Sequence, residues 1–274
     1  MIRTRLILLG SVLLSAIALY SLPRVVVQNE TPDMAVRQDA VESSMTRPEA
    51  DHGAKLEIPE QYAIRLGELK QNIRLEQSLQ KKYIFADSLA EAFRNLRFYD
   101  SAAWYYGELA LAFPGVMQNM KAGNAYYDAF GFGAGNLEEF GQKARDFYQK
   151  VLEAEPGYYE AKVKMALTYV SGPSPMTGIT MLRQVLVEDP GNELALYNMG
   201  LLAMTSGQYD RAIERFAELL GYHPDNQEAR FYLGLAYLEQ GERDKAKESF
   251  NVVARNAADP QLQATAKQYI DSLN

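Results

Sequence analysis

The chain has 274 residues and the composition of a folded protein, with 47% hydrophobic and 23% charged residues. Its net charge of −7 argues against a nucleic-acid partner, because no basic patch offsets the acidic residues. The absence of cysteine excludes disulfides, thiolate metal sites and cysteine catalysis, and two histidines leave little for metal or general-base chemistry. We therefore predict a protein that is not an enzyme, with no catalytic residue, no metal and no cofactor.

The first residues of the chain predict export from the cytoplasm. Arg3 and Arg5 precede an uncharged run over residues 6–22, which at roughly 17 residues reaches the lower limit for a membrane span. Because positive flanks stay in the cytoplasm, the rest of the chain is expected on the other side of the membrane. We interpret residues 1–22 as an uncleaved N-terminal signal anchor. The alternative is a signal peptide cleaved near residues 16–18, where small residues alternate.

The next two segments lead into the folded part of the chain. Residues 23–58 have few large apolar residues and no helical or strand period, so we predict a flexible linker. A helix is expected from about Pro59, because proline suits a first helical turn and Ile64 and Ile73 belong to a loose apolar stripe. We interpret residues 59–81 as an N-terminal capping helix; the second helix of a degenerate repeat is the alternative.

The remainder of the sequence repeats with a fixed period. Pro156, Pro190 and Pro224 stand 34 residues apart. In the clearest unit, Gly200 lies twelve residues before Ala212. We expect both small residues where a first helix (A) and a second helix (B) come closest, because a larger side chain would push the helices apart. This pattern predicts stacked helical hairpins, since one hairpin cannot bury its apolar face alone.

We predict about five such units over residues 82–260. The second unit is longer than the others, because 21 residues separate Gly123 from Ala144 where the other units show 12. We expect the extra residues to form an insertion near residues 131–140, as a loop between helices A and B. The last unit is followed by a predicted C-terminal capping helix over residues 261–274.

These units resemble tetratricopeptide (TPR) repeats, and the resemblance covers about two-thirds of the chain. The segments ADSLAEAF, YDSAAWYY, NAYYDAF, KARDFYQKVL and SGQYDRAIERF are similar to membrane-anchored TPR proteins of Bacteroidetes-type bacteria. The resemblance implies an all-α fold, a right-handed TPR superhelix of helix-turn-helix repeats behind the N-terminal anchor helix. It also implies a single pass through the bacterial inner membrane with the bulk of the chain in the periplasm, or secretion to the periplasm if the signal is cleaved.

The predicted functional surface is a partner-binding groove on the A helices. In TPR arrays, positions 2, 5, 9 and 12 of each repeat usually face this groove, and here they are more apolar than a solvated surface needs. The Lys, Asn and Arg of the family's carboxylate clamp are absent, so we expect an amphipathic helix or an extended apolar segment as the ligand. Internal packing and self-association are the alternatives for these residues, which are Val163, Leu167, Val170, Leu194, Tyr197, Leu201, Met204, Phe231, Leu235 and Leu238.

The first two units have a different inner face. Charged and polar residues occupy the equivalent positions, so the array is expected to change from polar to apolar along its length, and its two halves would contact different parts of one partner. These residues are Asp87, Glu91, Arg94, Asn124, Tyr127 and Asp128.

We therefore expect a non-catalytic scaffold or adaptor that binds a protein or peptide partner and no nucleic acid. A weaker similarity to exported TPR portions of cytochrome c assembly proteins gives a first alternative, a subunit that presents apocytochrome. A structural homo-oligomer is the second alternative. An enzyme with its site in the 131–140 insertion is a third, but the glycine-rich sequence GFGAGN has no final glycine and no preceding strand, which favours an ordinary loop.

Overall fold

The computed structural model describes residue 58, residues 60–133 and residues 135–273. Within these residues the protein consists of α-helices and has no β-strand, so the all-α prediction is confirmed. The predicted anchor over residues 1–22 and the predicted linker over residues 23–58, apart from its last residue, lie outside this part of the chain and stay predictions. Among the described helices, none combines the length and the apolar character that a bilayer span requires.

Twelve helices follow one another through the described residues, joined by short turns, and every helix packs against the next one. Short connections make neighbouring helices antiparallel, which gives five hairpins flanked by one helix at each end. The first helices of the second, third, fourth and fifth hairpins also contact one another in series. The helices are α1 (Glu60–Leu75), α2 (Leu79–Asn95), α3 (Tyr99–Ala112), α4 (Val116–Phe132), α5 (Leu137–Ala154), α6 (Tyr159–Val170), α7 (Pro175–Glu188), α8 (Glu193–Thr205), α9 (Tyr209–Tyr222), α10 (Gln227–Glu239), α11 (Arg243–Asn256) and α12 (Pro260–Ser272).

Glycine on the first helix of a hairpin faces an aromatic ring on the second. A Cβ atom at Gly200 would lie 2.6 Å from Cε1 of Phe216, closer than real Cβ atoms approach a carbon. Ala212, one turn before Phe216, has no exposed surface. The steric reason predicted for small residues at these two positions is therefore confirmed. The equivalent glycine–ring pairs are Gly123 with Tyr148, at 2.7 Å, and Gly234 with Phe250, at 2.8 Å.

Local sequence signals set where these helices begin and turn. The side chains of Asn192 and Asn226 accept hydrogen bonds from the backbone N–H groups three residues later, which caps the N-termini of α8 and α10. Gly207 and Gly241 take positive φ angles of 66° and 80° in the turns that follow these two helices. The repeated cap and turn give α8 and α10 equivalent positions in successive hairpins.

The extra length of the second unit is mostly helical. Helix α4 continues to Phe132 and α5 begins at Leu137, so only residues 133–136 lie between the helices. The side chain of Asn136 caps α5 by accepting a hydrogen bond from the backbone N–H of Glu139 at 3.3 Å. The prediction that residues 131–140 form an inserted loop is therefore wrong: the added residues lengthen both helices of the hairpin.

Helices α1 and α12 flank the five hairpins. Leu66, Leu69 and Ile73 of α1 are buried, whereas Ile64, which the sequence placed in the apolar stripe, is 59% exposed. At the other end, the Tyr269 ring of α12 stacks on the ring of Phe250 with 5.0 Å between centroids. Both flanking helices therefore pack on the neighbouring hairpin through one apolar face.

Candidate partner-binding surface

The largest apolar part of the predicted groove lies on α8. Its side chains are partly buried and recur every three or four residues, which places them on one face of the helix. The Tyr197 ring lies 5.8 Å from the ring of Tyr232 on α10 and 6.2 Å from that of Phe216 on α9. These contacts hold the tyrosine in place while part of its surface stays exposed. We call this set the apolar row; it consists of Leu194, Tyr197, Leu201 and Met204.

The hydroxyl of Tyr197 gives the apolar row one polar group. Burial raises the pKa of Tyr197, and the nearby Tyr232 and Glu228 raise it further. Hydrogen bonds to Tyr232 and Glu228 contribute to this rise in pKa, so the phenol keeps its proton and its hydroxyl is already engaged within the protein. A partner that covers the apolar row would meet apolar surface with this single hydroxyl at its edge.

Two of the ten predicted groove residues are buried. Val163 has no exposed surface and belongs to a core cluster with Leu182, and Phe231 is only 9% exposed. The Phe231 ring contacts those of Phe250 and Tyr269, with centroids 5.4 and 5.7 Å away. The prediction that these two side chains line a groove is therefore wrong. The helical periodicity of the sequence placed both residues correctly on A helices, but neighbouring helices cover their side chains.

The remaining predicted positions border the apolar row. Leu235 and Leu238 of α10 are partly buried and pack against the cluster that includes α12 residues. Leu167 of α6 packs in the same cluster as Leu194. Val170 packs against α7, the second helix of its own hairpin. A Cβ atom added at Gly178 of α7 would lie 2.6 Å from Cγ2 of Val170. All eight remaining positions are therefore partly buried, and four of them lie on α8.

The polar half of the inner face is held by ion pairs between successive units. The Nζ atom of Lys121 donates to Oδ1 of Asp87 at 2.6 Å, and Nε of Arg94 donates to Oδ2 of Asp128 at 3.1 Å. The partners in both pairs are 34 residues apart, which is the repeat period. Burial lowers the pKa of Lys121, but the hydrogen bond and charge of Asp87 outweigh it and raise the pKa overall. We call these two pairs the polar ladder.

Asn124 extends this polar region toward the third hairpin. Its Oδ1 accepts hydrogen bonds from the hydroxyl of Tyr148 at 3.0 Å and from Nζ of Lys164 at 2.9 Å. The sequence predicted Asn124 on the inner face but missed Lys121 and Lys164. The repeat period could have indicated the Lys121–Asp87 pair, because these two residues are one full repeat apart. Most of this polar surface is therefore already paired within the protein.

The polar ladder predicts a measurable coupling between two hairpins. Asp87→Asn and Lys121→Gln should each lower the free energy of unfolding by about 0.5 kcal/mol, because the pair is partly exposed. The double variant should lose little more than either single variant, since both remove the same ion pair. Urea denaturation followed by circular dichroism measures this coupling. Strictly additive losses would show that the two side chains do not interact in solution.

Comparison with known proteins agrees with this architecture. Residues 197–261 match the family model of the tetratricopeptide repeat. A tetratricopeptide repeat protein from Parabacteroides merdae is similar, with a TM-score of 0.55 and 17% identity over 87% of this chain and 89% of that one. A thermophilic TPR protein from Thermus thermophilus has a TM-score of 0.51 and 16% identity over 69% of this chain and 98% of its own. No curated protein matches the chain. These structural likenesses show the fold.

Proposed function

We propose that this protein, which carries tetratricopeptide repeats, is a non-catalytic adaptor that holds a segment of a partner protein against the apolar row. We place it at the bacterial inner membrane with its helices in the periplasm, a proposal supported by the apolar run at residues 6–22 and the arginines before it. The observation that carries the adaptor role is the apolar row. A solvated helix face has no need of four large apolar side chains in line.

The geometry of the apolar row favours an amphipathic helix as the bound segment. From Leu194 to Met204 the row extends about 15 Å along α8, which is close to three helical turns. A partner helix with apolar residues at i, i+3, i+7 and i+10 presents a stripe of the same length. Affinity would come from the buried apolar area and from the fixed positions of the hairpins.

Site-specific photo-cross-linking tests this proposal. The photoreactive amino acid p-benzoylphenylalanine replaces Leu201 in the full chain, and the cells are irradiated. We expect a discrete adduct with another protein, whose cross-linked segment, identified by mass spectrometry, has apolar residues at helical spacing. The matched control places the same amino acid at Glu248, which is exposed on α11. It should give no such adduct.

The other outcomes of this experiment separate the alternatives. An adduct between two copies of this chain would replace the adaptor proposal with a homo-oligomer. A cross-link from position 201 to another segment of the same chain would show that the apolar row is filled internally. An adduct in which the partner segment lacks any apolar periodicity would contradict the helical ligand.

A further inference from the structure

A second concave site lies between α7, α8 and α9. The cleft has a volume of 310 Å³, within the range of small-ligand and peptide side-chain sites. Its floor contains apolar side chains from α7 and α8, and arginines from α7 and α9 stand around it. We call it the arginine cleft. Its lining includes the apolar residues Ile179, Met199 and Leu202 and the arginines Arg183, Arg211 and Arg215.

The arginine cleft is separate from the apolar row, although both use α8. Because each residue of a helix advances by about 100°, Met199 and Leu202 lie roughly 140–200° around α8 from Tyr197. Neither residue can therefore contribute to the face that carries Leu201 and Met204.

The charges around the cleft favour an anionic ligand. Arg183 makes no hydrogen bond or ion pair with any residue in the described part of the chain. Arg211 donates to the neutral side-chain oxygen of Gln208, which leaves its charge uncompensated. Arg215 is paired with Glu218 at 2.6 Å. Glu214 also lines the cleft, yet the lining retains an excess of positive charge on a protein whose net charge is −7.

We propose that the arginine cleft binds an acidic peptide segment that also carries an apolar side chain. The apolar side chain would fill the floor beside Met199 and Leu202, and carboxylates would bind the guanidinium groups of Arg183 and Arg211. Guanidinium is suited to this task because its planar array of N–H donors matches the two oxygens of a carboxylate. The protein would then bind two partner segments of different chemistry, one apolar and one acidic.

Fluorescence anisotropy with two matched peptides tests the proposal on the full chain in a nonionic detergent. The acidic probe is fluorescein-labelled Asp-Leu-Glu-Leu-Asp-Leu, and the neutral probe is Asn-Leu-Gln-Leu-Asn-Leu with the same label. The acidic probe should bind about tenfold more tightly, and this advantage should shrink as salt is added. Equal affinity for the two probes, or no binding of the acidic one, would overturn the proposal.

Two double variants with the same loss of charge locate the binding site. Arg183→Gln with Arg211→Gln should weaken binding of the acidic probe about tenfold, because two charge-assisted contacts are lost. Arg243→Gln with Arg255→Gln changes two exposed arginines of α11 and should leave the affinity unchanged. Equal losses in both variants would mean that overall charge, not the cleft, attracts the peptide.

A third variant separates this proposal from the adaptor proposal. Leu201→Glu changes the apolar row and should leave binding of the acidic probe intact. If Leu201→Glu abolished that binding while the arginine variants kept it, the acidic peptide would occupy the apolar row and the cleft assignment would be wrong. The melting temperature of each variant, followed by circular dichroism, shows that the helices remain folded.

Discussion

Gly200→Leu should lower the free energy of unfolding by about 3 kcal/mol, the upper end of what overpacking a core costs. The reason is the 2.6 Å that separates a Cβ at this position from the Phe216 ring, which is itself fully buried. A leucine side chain therefore has to push α8 and α9 apart or displace the ring from the core. Urea denaturation followed by circular dichroism measures the loss.

The matched control for this substitution is Gly221→Leu in the last turn of α9. A Cβ at Gly221 meets no atom within 4 Å, and the residue is exposed. Leucine has a higher helix propensity than glycine, so stability should stay level or rise by about 0.5 kcal/mol. Equal destabilisation at both positions would contradict the close approach of helices at Gly200.

Tyr269→Ala should lower the free energy of unfolding by about 2–3 kcal/mol, somewhat less than a fully buried aromatic deletion, because Tyr269 is only partly buried. Its ring stacks on Phe250 and meets Phe231 edge-on, so it is a principal contact between α12 and the fifth hairpin. We propose that α12 acts as a C-terminal cap. Removing this contact should also expose apolar surface and promote self-association.

Thermal melting and light scattering of the same samples measure both effects. Tyr62→Ala is the matched control, because it deletes the same side chain where it is 44% exposed on α1. It should change stability by less than about 0.5 kcal/mol, as is usual for surface substitutions. If Tyr269→Ala behaved like Tyr62→Ala, α12 would contribute little to the stability of the hairpins, and the proposed cap would be wrong.

The hairpins could be predicted from sequence because their determinants are local. Helices α5, α7 and α9 end two residues before Pro156, Pro190 and Pro224, whose rings cannot continue a helix. Gly200 and Ala212 belong to the same hairpin, so one spacing along the chain fixes their contact. The same local signals recur with a period of 34 residues, so the order and the pairing of the helices could be predicted.

The incorrect or missing predictions concern contacts between repeat units, which the sequence of a single hairpin does not determine. Phe231 occupies the position in α10 that Tyr197 occupies in α8, but α12 covers only Phe231. Val163 is likewise buried by its neighbours. The arginine cleft was not predicted either, because Arg183 and Arg211 lie on helices of different hairpins and nothing in their spacing indicates a common site.

In the proposed adaptor, the apolar row is an open surface that a partner covers in the cell. The chain contains no cysteine, so Leu201→Cys introduces a single reactive thiol at the centre of the row. A membrane-permeant maleimide should label this thiol in the purified protein and fail to label it in intact cells, whereas Glu248→Cys should be labelled in both. Equal labelling of position 201 in cells and in the purified protein would contradict partner binding, and no labelling in either would show that the protein itself covers the row.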